Sequence, residues 1–185
     1  MNRAAPGLLA LLLCATALAA PGLQVDYYEV EGDDIQALRR ALAERGPVGD
    51  DGVRYHGYTR WQVGWTYRLA HRGPRCVLQS HATRVEGRMT LPRWNPPQDA
   101  ADGLVREWEA YSAALREHED GHYAIGSAAA AEIRRRLGGL RGTVGCDALE
   151  QAIGETAEAV LDEFRARERA YDRDTGHGAS QGARL

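Results

Sequence analysis

Lysine is missing from this sequence: all 23 of its basic residues are arginines, set against 26 acidic residues, for a formal net charge of -3. The arginines are scattered and form no stripe, so the electrostatic footprint of a nucleic-acid binder is absent. Long apolar runs are scarce too. After the first residues no segment approaches the ~20 consecutive apolar positions that a membrane-spanning helix requires, so no stable span is expected. Internal repeats and low-complexity tracts are lacking. Disorder is not the reading either, because 44% hydrophobic and 26% charged residues are ordinary for a globular chain long enough to bury a core. Cysteine is sparse, with only Cys14, Cys76 and Cys146.

What is present begins with an export signal. Arg3 gives a basic start, Leu8 to Leu18 is apolar, and Ala17-Leu18-Ala19 supplies the small residues that a signal peptidase needs. Residues 1–19 therefore read as a signal peptide, with a single domain over 20–178 and a flexible tail over 179–185. The large Leu13 before Cys14 fits poorly with lipid modification. Once the signal is removed, Cys76 and Cys146 are left in an oxidising compartment, and a disulfide is their natural pairing.

Gln24 to Val30 alternates in the manner of a strand, and Asp33 or Asp34 can cap a helix carrying Leu38, Ala41 and Leu42 as far as Gly46-Pro47. Val53 to Ala70 reads as a long aromatic-rich strand bent at Gly57. Cys76 to Leu91 would return beside it as an antiparallel hairpin. Beyond Pro92 to Pro97 the pattern changes to helical. Leu104, Trp108, Tyr111, Leu115, Ile125, Ala129, Ile133 and Leu137 keep the three-and-four spacing of one buried stripe up to Gly138-Gly139. A capping-box-like start at Asp147 and Glu150 opens a last helix whose buried face runs from Leu149 to Tyr171.

Within the long stripe stands His118-Glu119-Asp120-Gly121-His122, a HExxH sequence. Four residues on a helix make one turn, so His118 and His122 share a face and can converge on one metal ion, with Glu119 beside them. Two imidazoles buried in an apolar stripe need partners that hydrocarbon cannot give. Zinc suits such a pair because it takes neutral imidazoles and, with three protein ligands, leaves a fourth position for water. Glu119 would serve as general base. Among the remaining histidines His56, His71 and His81 lie in the strand region or its turns, whereas His177 stands alone in a glycine-flanked loop after the last helix. His177 is the expected third ligand, and Asp174 the alternative.

These features together resemble a bacterial family known as domain of unknown function 922, described as predicted secreted zinc-dependent proteases. The likeness rests on the Tyr-rich first strand, Gly46-Pro47, Thr59-Arg60-Trp61, Trp65, Cys76, Leu91-Pro92-Arg93-Trp94, the HExxH, Cys146, and the closing run Tyr171 to Gly178. It implies His118, His122 and His177 as ligands to one zinc ion and Glu119 as base. Asp172 would orient an imidazole and Tyr171 would donate to an oxyanion, or both would simply hold the loop.

The expected fold is α+β, a small antiparallel sheet packed against helices, zincin-like with HExxH on a long helix. The expected function is hydrolysis of a peptide or protein substrate in the periplasm or outside the cell. Two rivals stand beside it: a non-catalytic metal-binding envelope protein, and a partner-binding module that uses the aromatic-rich sheet.

Overall fold

The structure, a computed structural model, describes residues 22–185. The expected signal peptide lies outside the described residues. Within them the chain is α+β, with three α-helices and a small mixed sheet.

Strand β1 (Leu23–Val30) leads into helix α1 (Ile35–Arg45). Of the two candidate caps it is Asp34 that acts, its Oδ1 accepting from the Ala37 N–H at 2.7 Å. Strands β2 (Tyr58–Arg72) and β3 (Arg75–Trp94) form the expected antiparallel hairpin, turning at Gly73 with φ 62°. Its ends depart from expectation. Residues 53–57 are not strand, because the loop over 46–57 closes on itself: Val48 bridges Arg54, and the Tyr55 N–H reaches the Pro47 carbonyl at 2.9 Å. Backbone groups satisfied within a loop need no sheet partner.

At its other end β3 runs past Leu91 to Trp94, because β1 pairs with it there. That pairing is parallel, so the sheet is mixed, in the order β1-β3-β2, and not wholly antiparallel as expected. Alternation of side chains reveals a strand and its faces but is silent about the direction of its neighbour. The two-residue strand β4 (Thr143–Val144) pairs antiparallel with the start of β3. Beside it the expected Cys76–Cys146 disulfide is formed, with Cα atoms 5.1 Å apart.

Helix α2 (Asp102–Gly138) has 37 residues and spans about 55 Å. Helix α3 (Asp147–Thr175) returns along it. The expected capping box does not form, since Cys146 takes the cap position without a side-chain bond. Asp147 and Glu150 still sit in the first turn, where the helix dipole favours negative charge. The helix runs on past Tyr171, where its expected buried face stopped, so Asp172 is helical too, and it ends at Gly176 with φ 57°.

Two hydrophobic clusters share α2 between them. Trp108, Tyr111 and Leu115 pack with Leu38, Leu42, Met89 and Trp94, whereas Ala129, Ile133 and Leu137 pack with Leu149, Ile153, Val160 and Phe164. The histidines of the HExxH fall in the seam between the clusters, on the same buried stripe. The tail expected to be frayed is seated: Ala179–Gln181 forms a 3-10 turn, and Ala183 and Leu185 rest against the first cluster. No helix among the described residues is long and apolar enough to cross a membrane.

Candidate metal centre

His118, Glu119 and His122 are all nearly inaccessible, at 3%, 3% and 7% exposure. The two Nε2 atoms lie 3.2 Å apart. From α3, Asp172 brings Oδ1 to 3.0 Å from His122 Nε2 and 3.3 Å from His118 Nε2. All three donor atoms fall within 4.8 Å of one another. Helix periodicity explains how α3 reaches them, since Phe164, Glu168 and Asp172 continue its inward stripe at four-residue steps.

Behind the pair, each imidazole is held by its other nitrogen. His122 Nδ1 faces Glu168 Oε1 at 3.2 Å, and the same oxygen accepts from the Trp61 indole N–H at 2.8 Å. His118 Nδ1 faces Gln181 Oε1 at 2.9 Å. If both Nδ1 atoms carry their protons toward these acceptors, both Nε2 lone pairs point at one another and at a carboxylate oxygen. Three electron-rich atoms so placed repel unless a cation sits among them. Their spacing also matches the ~3.3 Å edge of a tetrahedron built on zinc bonds of ~2.0–2.1 Å. The donors therefore fit zinc in kind and in spacing.

Electrostatics agree. Burial pulls the His122 pKa down, but bonds to Asp172 and Glu168 outweigh it and push it up to about 9. Burial would raise the Asp172 pKa, yet its bonds to His118 and His122 hold it well below the usual carboxylate range. The pocket favours positive charge at its centre.

Glu119 is buried and lines the cleft beside His118 and His122. Its Oε2 is buried without a hydrogen-bond partner, as is Thr59 Oγ1. Burial raises its pKa from the ordinary value, against the nearby Thr59 hydroxyl and the attraction of the two histidines. Gly57 makes room for it, because a Cβ there would stand 2.7 Å from Oε1. At Gly121, inside the motif, a Cβ would stand 2.2 Å from the Tyr171 hydroxyl, so this glycine lets Tyr171 stack on His118 with ring centroids 5.0 Å apart. Tyr171 is thereby a packing partner of a candidate ligand, its hydroxyl donating to the His118 carbonyl at 3.4 Å.

His177, the expected third ligand, stands outside the donor cluster. It is 55% exposed, with Nδ1 3.4 Å from Asp172 Oδ1 and its ring centroid 5.3 Å from that of Tyr55. Asp174 is exposed and outside the cluster as well. His177 is also the only non-glycine among the described residues with positive φ, at 52°. Of the remaining histidines, His71 and His81 are held elsewhere, facing Cys146 and the Arg134 carbonyl. His56 lines the cleft, its Nδ1 2.9 Å from the Tyr111 hydroxyl. Glu168 and Gln181 are the participants that the sequence reading missed. Glu168 left a signal, a carboxylate on the apolar stripe of α3, whereas Gln181 left none.

The site opens into a cleft of about 990 Å³ between the 46–57 loop, β2 and α3. A family profile described as that of a bacterial protein of unknown function (DUF922) matches residues 25–178. No curated protein and no solved structure matches the chain.

Proposed function

The chain belongs to the bacterial DUF922 family, and we propose that it is a zinc-dependent hydrolase of peptide bonds acting in the periplasm or outside the cell. His118, His122 and Asp172 would hold one ion, with Asp172 in the place first expected of His177. The observation that carries this reading is the convergence of three donor atoms within 4.8 Å, beside a buried carboxylate whose Oε2 has no hydrogen-bond partner.

Zinc bound there would polarise a carbonyl and make a water more acidic. Glu119 takes a proton from the attacking water and returns it to the departing amine. Its raised pKa suits a group that must hold the proton between those two events. Glu168 and Gln181 keep the Nε2 atoms facing inward, and the buried walls exclude bulk water from the charges.

A peptide substrate is supported by the wall of the cleft. Tyr58, Thr59, Arg60, Trp61, Gln62 and Val63 all line it in succession. A sheet face would offer every second residue, whereas an edge offers consecutive ones. β2 ends the strand order on this side, so its outer N–H and C=O groups are available to an extended chain. The disulfide fits an oxidising compartment.

The test compares wild type with Glu119→Gln on unstructured casein. Cleavage by wild type that a chelator stops and added zinc restores is expected, with Glu119→Gln retaining zinc and losing about 10²–10⁴ in rate. Failure of the protein to bind zinc, or unchanged cleavage by Glu119→Gln, would overturn the proposal. One observation favours a second reading: His177 at 3.4 Å from Asp172 is near enough to the centre to suggest a fourth protein ligand and a closed, non-catalytic metal site. Bound zinc without hydrolysis of any substrate would favour it.

A further inference from the structure

We infer that Gln181, three residues beyond the family-matched segment, is the positioning residue that fixes His118 for metal binding. This rests on the metal site proposed above. Four groups close a circuit around His118. Its Nδ1 faces Gln181 Oε1 at 2.9 Å, Gln181 Nε2 donates to the Tyr171 hydroxyl at 3.0 Å, and that hydroxyl donates to the His118 carbonyl at 3.4 Å. In this arrangement the amide oxygen accepts the Nδ1 proton, which leaves Nε2 bare on the side of Asp172 and His122. The reverse orientation of the amide would place its NH₂ against Nδ1 and move the ring proton to Nε2, where it would block a metal.

The chain holds Gln181 firmly enough for this task. The N–H groups of Gln181 and Ala183 both reach the Gly178 carbonyl, at 2.9 and 3.0 Å, and Arg39 Nε donates to the Leu185 carbonyl at 2.5 Å. Gly178 itself, with φ 81°, lies so close that a Cβ would stand 2.9 Å from His118 Cγ. The two ligands are thus supported unequally. His122 leans on a carboxylate, and His118 on a neutral amide delivered by residues 178–183.

Partners of this kind set ring orientation and basicity, and their loss weakens metal binding by about 10–100-fold. Zinc affinity of the full chain, measured by competition with a chromophoric chelator, should fall by that factor in Gln181→Ala. Gln181→Glu, which still offers an acceptor oxygen, should bind zinc as tightly as wild type or more so. Gln181→Met, which fills the volume without an acceptor, takes the place of Gln181→Ala if that variant does not fold. The visible spectrum of the cobalt-loaded protein should change in the Ala or Met variant and not in the Glu variant. A merely structural role would instead lower the melting temperature of the metal-free protein in every variant and leave affinity unmoved. Unchanged zinc affinity in both Gln181→Ala and Gln181→Met would overturn the inference while leaving the metal site standing. Absence of zinc binding by wild type would remove both.

Discussion

Glu119→Gln should make the metal-free protein more stable at neutral pH, although it removes the residue to which the chemistry is assigned. Glu119 is 3% exposed and its Oε2 has no hydrogen-bond partner. Burying an unpaired polar oxygen costs about 1–3 kcal/mol, and more when it is charged. Glutamine keeps the shape without the charge, and a neutral amide is cheaper to bury. The Thr59 hydroxyl and attraction to His118 and His122 work the other way but are together the smaller effect, since the net pKa shift is upward from 4.5.

The sign follows from that direction. A carboxyl whose pKa is raised in the folded state favours folding while it is protonated, and this contribution is lost as pH rises from the unfolded value through the folded one. The advantage of glutamine should therefore be small near pH 4 and larger at pH 8. A gain of about 2 kcal/mol corresponds to a rise of about 4–8 °C in melting temperature for a chain of this size. Urea unfolding of both proteins with chelator present, at pH 4 and pH 8, measures it. Equal or lower stability of Glu119→Gln at pH 8, or an advantage that grows toward acid, would refute the picture of a carboxylate held at a cost for function.

Two further outcomes are expected. Reducing the Cys76–Cys146 bridge, whose residues are 70 apart in sequence, should cost about 4 kcal/mol in the chain-entropy account. Urea unfolding with and without reductant checks it, and thiol titration of the unreduced protein should find neither residue free. Asp172→Asn should lower the His122 pKa from about 9 toward its ordinary value, because the mutation removes a bond and an opposite charge that raise it. Stability gained from the protonated His122, full below 6.5 and lost as pH rises through about 9, would shrink with it. Histidine ring resonances followed by NMR titration of the metal-free protein report the shift directly.

The His118, Glu119 and His122 cluster was legible because helical periodicity converts sequence spacing into a shared face, and Trp108 to Leu137 made that face buried. Asp172 was assigned to a supporting role because the resemblance gave the third place to His177. Phe164, Glu168 and Asp172 nonetheless repeat every four residues, and carboxylates on an apolar stripe are the same anomaly as histidines on one. The parallel pairing of β1 with β3 had no local signal, since α1 and β2 intervene between the two strands. Gln181 was the least legible. Its place depends on three successive left-handed residues, Gly176, His177 and Gly178, and nothing in the side-chain pattern indicates that the backbone reverses there toward His118.

The polar seam in α2 has a consequence for how the molecule comes apart. Each half of that helix is anchored in its own apolar cluster, and the turn between them is held by polar side-chain bonds to Glu168, Asp172 and Gln181 instead of apolar packing. Without a cation the seam is where cooperativity between the halves is weakest, so local opening can begin in the middle of the longest helix, as well as at its ends. A cation shared by α2 and α3 would join the halves into one melting unit. Loading the site would then act as a lock on the tertiary structure, and the metal-free chain would be the form most open to the proteases of its own compartment.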